Sequence, residues 1–192
     1  MAVLTFIMLT GMYCYSIQLK EGLSATGMTD RVSWGLYISN FTFLVGVAAA
    51  AVMLVMPTYV LKDIDFKQAV LIGEGLAVSA LIMCLAFVVA DMGGPSVLWH
   101  MIPGIGVFNF PNSMLTWDVL VLNGYLFLNI TIPFYILFRH YQGKESKPSV
   151  YVPGAILSVF WAVGIHLVTA FLYQGLQARP FWNNALLGPR FL

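Results

Sequence analysis

The chain has 192 residues, 60% of them hydrophobic and only 9% charged, with a formal net charge of +1. A soluble domain carries roughly 25% charged residues. A fold of this size still turns much of its surface to water, so this composition excludes a water-soluble globule and points to the lipid bilayer as solvent. The charge balance gives no basic patch for nucleic acid and no acidic tail.

A helix needs about 20 apolar residues to cross the hydrocarbon. Five segments meet or approach that length: residues 1–19, 34–61, 66–90, 113–138 and 153–176. The first starts flush with the membrane and lacks the basic n-region of a cleavable signal peptide. The second is long enough to tilt or protrude. Asn112 or Ser113 is predicted to cap the fourth, and Pro153 suits the first turn of the fifth. The fold class is therefore all-α and polytopic. Its predicted organisation is a leading helix with an outer loop (1–33), a four-helix bundle (34–176) and the start of a further segment (177–192). That last stretch is amphipathic and resembles the approach to another span, so the sequence reads as a piece of a longer protein.

The connections differ in chemistry. Residues 62–67 and 139–152 carry Lys62, Lys67, Arg139, Lys144 and Lys147, and both fall on one side of the membrane. Residues 91–112 carry no Lys or Arg but are rich in Gly and Pro. Residues 96–102 suit a short interfacial helix, with Trp99 at the headgroup level. The positive-inside rule then makes the basic pair cytoplasmic and the Gly/Pro-rich loop outer, although Lys20, Arg31, Arg179 and Arg190 at the ends weaken the bias.

Ionisable groups inside hydrocarbon are costly, and each is a candidate functional residue. Here they are Glu74, Asp118 and His166, with Asp91 at the outer end of the third segment. At about 1.5 Å of rise per residue, Asp118 lies about 8 Å and His166 about 15 Å below the outer face. Tyr37 and Asn40 lie about 5 to 9 Å deep on the second segment. His100 sits at or above the same surface. A quinone head group needs such neighbours, because its carbonyls accept hydrogen bonds, its reduced form donates them, and two protons move per turnover. Asp118 and His166 are expected to handle the protons, and Tyr37 and Asn40 to hydrogen-bond the carbonyls, with Asp91 at or above the same surface. Glu74, about 12 Å from the cytoplasmic end, is expected on a proton path. Each also has a plainer structural reading: an interhelical hydrogen bond for His166 or Glu74, a brace for the outer loop at Asp118, and a turn for Asp91.

Other signals fall away. The motifs Asn40-Phe-Thr and Asn129-Ile-Thr lie inside spans, beyond any glycosyltransferase. The small residues of 46–51 favour close helix packing. Cys14 and Cys84 form no CxxC, so no iron–sulfur or metal site is expected. A bis-His haem is not expected either, since only His166 of the three histidines is well inside the membrane.

Several spaced motifs resemble one family in order. They are Gly27-Met-Thr-Asp-Arg-Val-Ser-Trp-Gly-Leu-Tyr-Ile-Ser-Asn-Phe-Thr-Phe-Leu-Val-Gly46, Asp91-Met-Gly-Gly-Pro95, Phe110-Pro-Asn-Ser-Met-Leu-Thr-Trp-Asp118 and Thr169-Ala-Phe-Leu-Tyr-Gln-Gly-Leu-Gln-Ala-Arg-Pro-Phe-Trp182. Together they resemble the NrfD/polysulfide reductase membrane-subunit family, and are most similar to the DsrP and HmcC type of sulfate-reduction-associated complexes. The resemblance implies eight to ten spans in two four-helix bundles, of which this chain supplies a leading helix and the first bundle. It implies no haem or iron–sulfur cluster in the chain itself. It also implies menaquinone or menaquinol as bound substrate, in a multi-pass subunit of the cytoplasmic (inner) membrane. The implied partners are a ferredoxin-like iron–sulfur subunit on the outer face, a multihaem cytochrome c, a haem b membrane subunit and a cytoplasmic iron–sulfur subunit. The family's quinone pocket lies in the first bundle near the outer surface, which carries Tyr37, Asn40, Asp91, His100, Asp118 and His166 into it as candidates. The competing classes are half of a transporter or channel and a cofactor-free membrane anchor for redox subunits. A transporter half calls for broken helices or an inverted repeat, and the sequence shows neither clearly.

Overall fold

The computed structural model describes residues 1–29, 31–32, 34–51, 55, 67–177 and 179–191. Its α-helices are α1 (Ala2–Glu21), α2 (Leu36–Ala50), α3 (Lys67–Asp91), α4 (Met114–Tyr141), α5 (Pro148–Gln174) and α6 (Leu187–Phe191). Short 3₁₀ turns run over Leu23–Thr26 and Pro95–Met101. Helix is the expected state in hydrocarbon, where each backbone N–H and C=O must find a partner within its own segment. Among the described residues, four helices are long and apolar enough to cross a membrane: α1, α3 from Val70, α4 and α5. The chain is a polytopic helical membrane protein.

The boundaries follow the predictions with informative exceptions. The second predicted segment, 34–61, is helical over Leu36–Ala50. Beyond Ala51 only Val55 is described, so the rest of that segment lies outside the described residues. The fifth begins earlier than 153, because Pro148 takes the first helical position after Lys147 and leaves Pro153 inside the helix. Ser113 occupies the N-cap position of α4 with an extended backbone, but its side chain makes no capping hydrogen bond. Pro133 lies inside α4 and removes the donor that would serve the Asn129 carbonyl, an interruption that membrane helices tolerate better than soluble ones. Residues 95–101 form the short helix expected in the outer loop, in 3₁₀ form.

The chain forms two compact units. The first comprises residues 1–41 and 84–108: α1, the start of α2, the end of α3 and most of the Gly/Pro-rich loop. Its interior centres on Gln18, the one buried residue of α1. Gln18 Nε2 donates to the Ala90 carbonyl (2.7 Å), and Gln18 Oε1 accepts from the Tyr37 hydroxyl (2.6 Å). The Cys84 thiol meets the Phe41 carbonyl at 3.6 Å.

The second unit comprises residues 42–83 and 109–192. Its backbone is an antiparallel pair, α4 and α5. Trp161 on α5 donates Nε1–H to the Val121 carbonyl on α4 (2.8 Å). Gly124 admits the same indole: a Cβ there would stand 2.4 Å from Trp161 Cζ2. Gly154 rests against Ile132 in the same way. The Arg139 guanidinium clips the connecting loop by donating to the Glu145 carbonyl from Nη2 (2.9 Å) and Nε (3.2 Å). The Tyr125 hydroxyl donates to the Ala48 carbonyl of α2 (3.3 Å), and the Thr42 and Tyr173 hydroxyls hydrogen-bond each other. Val55, Val70 and Ala155 form a core with Ile132, Ile136 and Tyr151 against it. Phe43, Phe127 and Phe160 stay exposed, as expected where the outer surface meets lipid.

Candidate functional site

The α4–α5 pair sets the level of the two strongest candidates. Contacts run from Val121 and Gly124 to Trp161 and from Ile132 to Gly154. Because both helices rise about 1.5 Å per residue, counting back from these contacts sets Asp118 level with His166 to within about one turn. Each lies on the inward stripe of its helix. On α4 the buried residues Asp118, Leu122, Tyr125 and Asn129 recur at alternating spacings of four and three. On α5 His166 continues the run Ala162, Thr169 and Tyr173, all three of which are buried. Asp118 is 1% exposed, and its Oδ1 has no hydrogen-bond partner among the described residues. A sealed carboxyl oxygen without a donor is costly, so the position calls for one.

His166 is half-buried. Its Nδ1 lies 3.0 Å from the Ala162 carbonyl, one turn back on the same helix. Thr169 is fully buried and donates its hydroxyl to the Ile165 carbonyl (2.7 Å). Thr116 is buried close to Asp118, towards the start of α4. Glu74 is also in the second unit, 3% exposed and within electrostatic reach of Tyr125. Asn129, on the same stripe, donates Nδ2–H to the Tyr125 carbonyl (2.9 Å).

The remaining predicted residues belong to the first unit. Tyr37 gives its hydroxyl hydrogen to Gln18, so it presents lone pairs rather than the free O–H donor expected for a quinone carbonyl. Asp91 follows Ala90, whose carbonyl Gln18 also engages. Its Oδ1 is buried without a partner among the described residues. Asn40 is half-buried and turns its Nδ2 to the Leu36 carbonyl of its own helix (2.9 Å). His100 is exposed and stacks on Trp99 with ring centroids 3.8 Å apart. The loop backbone folds back on it so closely that a Cβ at Gly106 would stand 2.3 Å from His100 Cα. Gln18 thus ties Tyr37 to the backbone at Ala90, beside Asp91, while Asn40 and His100 make their contacts elsewhere.

Sequence reasoning missed Gln18, Tyr125, Asn129 and Thr169. The α4 residues carried a readable signal, since Tyr125 and Asn129 repeat the Asp118 face at heptad-like spacing. Gln18 did not: beside Lys20 and Glu21 it reads as an ordinary polar residue at a helix end.

The chain matches the family described as "Polysulphide reductase, NrfD" over residues 24–192. It is 29% identical over 222 residues to a selenate reductase subunit of Mesobacillus selenatarsenatis, covering 99% of this chain and 51% of that protein. It is 25% identical over 190 residues to the Hdr-like menaquinol oxidoreductase integral membrane subunit of Archaeoglobus fulgidus, covering 99% of this chain and 45% of that protein. It is 23% identical over 207 residues to a putative dimethyl sulfoxide reductase membrane subunit of Halobacterium salinarum, covering 100% of this chain and 47% of that protein. The chain spans about half the length of these curated relatives. No solved structure matches it. With the family's motifs in order and the match running over residues 24–192, the chain belongs to the NrfD polysulphide reductase family.

Proposed function

We propose that the chain is the quinone-interacting part of the membrane subunit of a respiratory electron-transfer complex. A menaquinol or menaquinone head group binds at the level of Asp118 and His166 in the second unit, and these two groups handle its protons. Electrons pass between the ring and an iron–sulfur partner subunit on the outer face. The assembly in the inner membrane also holds a multihaem cytochrome c, a haem b membrane subunit and a cytoplasmic iron–sulfur subunit. The observation that carries this reading is the sealed Asp118 carboxyl with an unpartnered oxygen, set level with an inward-facing histidine. The relatives' names support it, since each is called a subunit of a reductase or an oxidoreductase, and two of the three are called membrane subunits.

In the assembled complex, Asp118→Asn abolishes quinol-linked electron transfer while the partners still co-purify. Full activity in that variant sinks the assignment. Glu74, with Tyr125 in electrostatic reach, extends the proton path away from Asp118. Glu74→Gln then lowers proton release per electron in reconstituted vesicles without lowering quinol binding. An unchanged ratio removes Glu74 from the path. The anchor reading makes the opposite prediction, with no quinone in purified material and tolerance of change at both Asp118 and His166.

A further inference from the structure

Helix α4 has a second face, at the far end of the helix from Asp118, that the quinone reading leaves unused. Ile132 and Ile136 pack against the core of Val55, Val70 and Ala155. At about 100° per residue, Phe127, Phe134, Phe138 and Tyr141 fall within about 60° of one another on the opposite side. They are 66%, 65%, 48% and 89% exposed. Phe134 and Phe138 stack, with ring centroids 5.9 Å apart. The result is an apolar strip that runs to the last residue of α4.

The strip ends on charge. Residues 139–147, which join α4 to α5, carry Arg139, Lys144 and Lys147 against the single carboxylate of Glu145. Among the described residues none of these cations forms an ion pair. Arg139 is instead held in place, donating Nε–H and Nη2–H to the Glu145 carbonyl, while its own carbonyl accepts from the Lys144 N–H (3.0 Å). A guanidinium has five N–H donors, so Nη1 keeps both of its hydrogens for a ligand. A turn between two spans lies at the level of the lipid headgroups, where phosphodiester oxygens suit the fork of an arginine. Another apolar helix on this strip would leave the cations without counter-charges, and a zwitterionic headgroup brings its own cation to its phosphate. We propose that the strip and the 139–147 turn form a binding site for an anionic phospholipid. Its phosphodiester is held by Arg139, Lys144 and Lys147, and an acyl chain lies along Phe138, Phe134 and Phe127. The site stands apart from the quinone reading and does not depend on it.

The test places the assembled complex in phosphatidylcholine nanodiscs with one of two probes, a phosphatidylglycerol or a phosphatidylcholine, each with a photoactivatable diazirine in an acyl chain. Cross-links are mapped by mass spectrometry, and the mole fraction giving half-maximal labelling of residues 127–141 is measured. Each net positive charge at the surface is worth about fivefold, so the phosphatidylglycerol probe should half-saturate at a roughly 25-fold lower fraction. The double variant Lys144→Gln, Lys147→Gln should remove most of that advantage and leave labelling by the phosphatidylcholine probe unchanged, which also shows that the strip is intact. Arg139→Lys keeps the charge but loses the fork, and should cost the phosphatidylglycerol probe a few-fold. Equal half-saturation for the two probes, or the wild-type value in the double variant, overturns the proposal. So does labelling that misses residues 127–141 with both probes, since another helix or a second copy then covers the strip. Displacement of the probe by millimolar inorganic phosphate would mark a free-anion site and overturn it as well.

Discussion

Helices α1 and α5 are both long and apolar, yet they are held in opposite ways. In α5 buried residues recur along the whole helix, and Gly124 and Trp161 lock it to α4 by shape and by a hydrogen bond. In α1 one residue is buried, while Val3, Phe6, Met8 and Met12 are all exposed. The difference teaches that apolarity decides whether a segment enters the bilayer and says nothing about which face meets protein. Lipid tails are as apolar as Leu, so packing is left to small residues, close backbone approach and polar side chains.

Substitutions can break or sharpen this contrast. The largest effect should come from Gly124→Val, which drives a branched side chain into the Trp161 ring. It should cost about 3 kcal/mol, the upper end for overpacking, seen as a lower midpoint for thermal loss of monodisperse protein in detergent. Gln18→Leu should follow at about 2 kcal/mol, because it takes away the acceptor of the Tyr37 hydroxyl and the side-chain donor to the Ala90 carbonyl. Hydrogen exchange near residues 37 and 90 should then rise while α4 and α5 keep their protection. Trp161→Phe keeps most of the ring and removes the bond to Val121, for about 1 kcal/mol in the same melting assay. Leu9→Ala, on the exposed run of α1, should change stability by less than about 0.5 kcal/mol. A large loss there would mean that α1 is packed as tightly as α5.

Much of the fold could be read from residue types, because hydrocarbon permits few alternatives to a helix. The predicted segment at 66–90 stops one residue short of the helix end at Asp91, and Phe66 lies outside the described residues. Boundaries failed where two signals competed. Pro153 and Pro148 both suit a first turn, and the chain uses the earlier one. Ser113 has the right identity for a cap and the wrong side-chain geometry. For the candidate site, ionisable residues in apolar runs led directly to Asp118, Glu74 and His166, because the cost of burying charge makes such residues rare. Their hydrogen-bond polarity was not legible. It depends on which backbone carbonyl each side chain reaches, as with His166 on Ala162, or on which side chain it meets, as with Tyr37 on Gln18. No spacing rule sets that.

The bond between Gln18 and Ala90 spans 72 positions of sequence. At ribosomal speeds of about 5–20 residues per second, α1 is made roughly 4 to 14 seconds before its acceptor exists. During that interval its amide needs another partner, water or a carbonyl of its own helix, as Asn40 and Asn129 find on theirs. The order of synthesis thereby makes α1 a waiting helix, whose bond to the end of α3 closes only when Ala90 arrives.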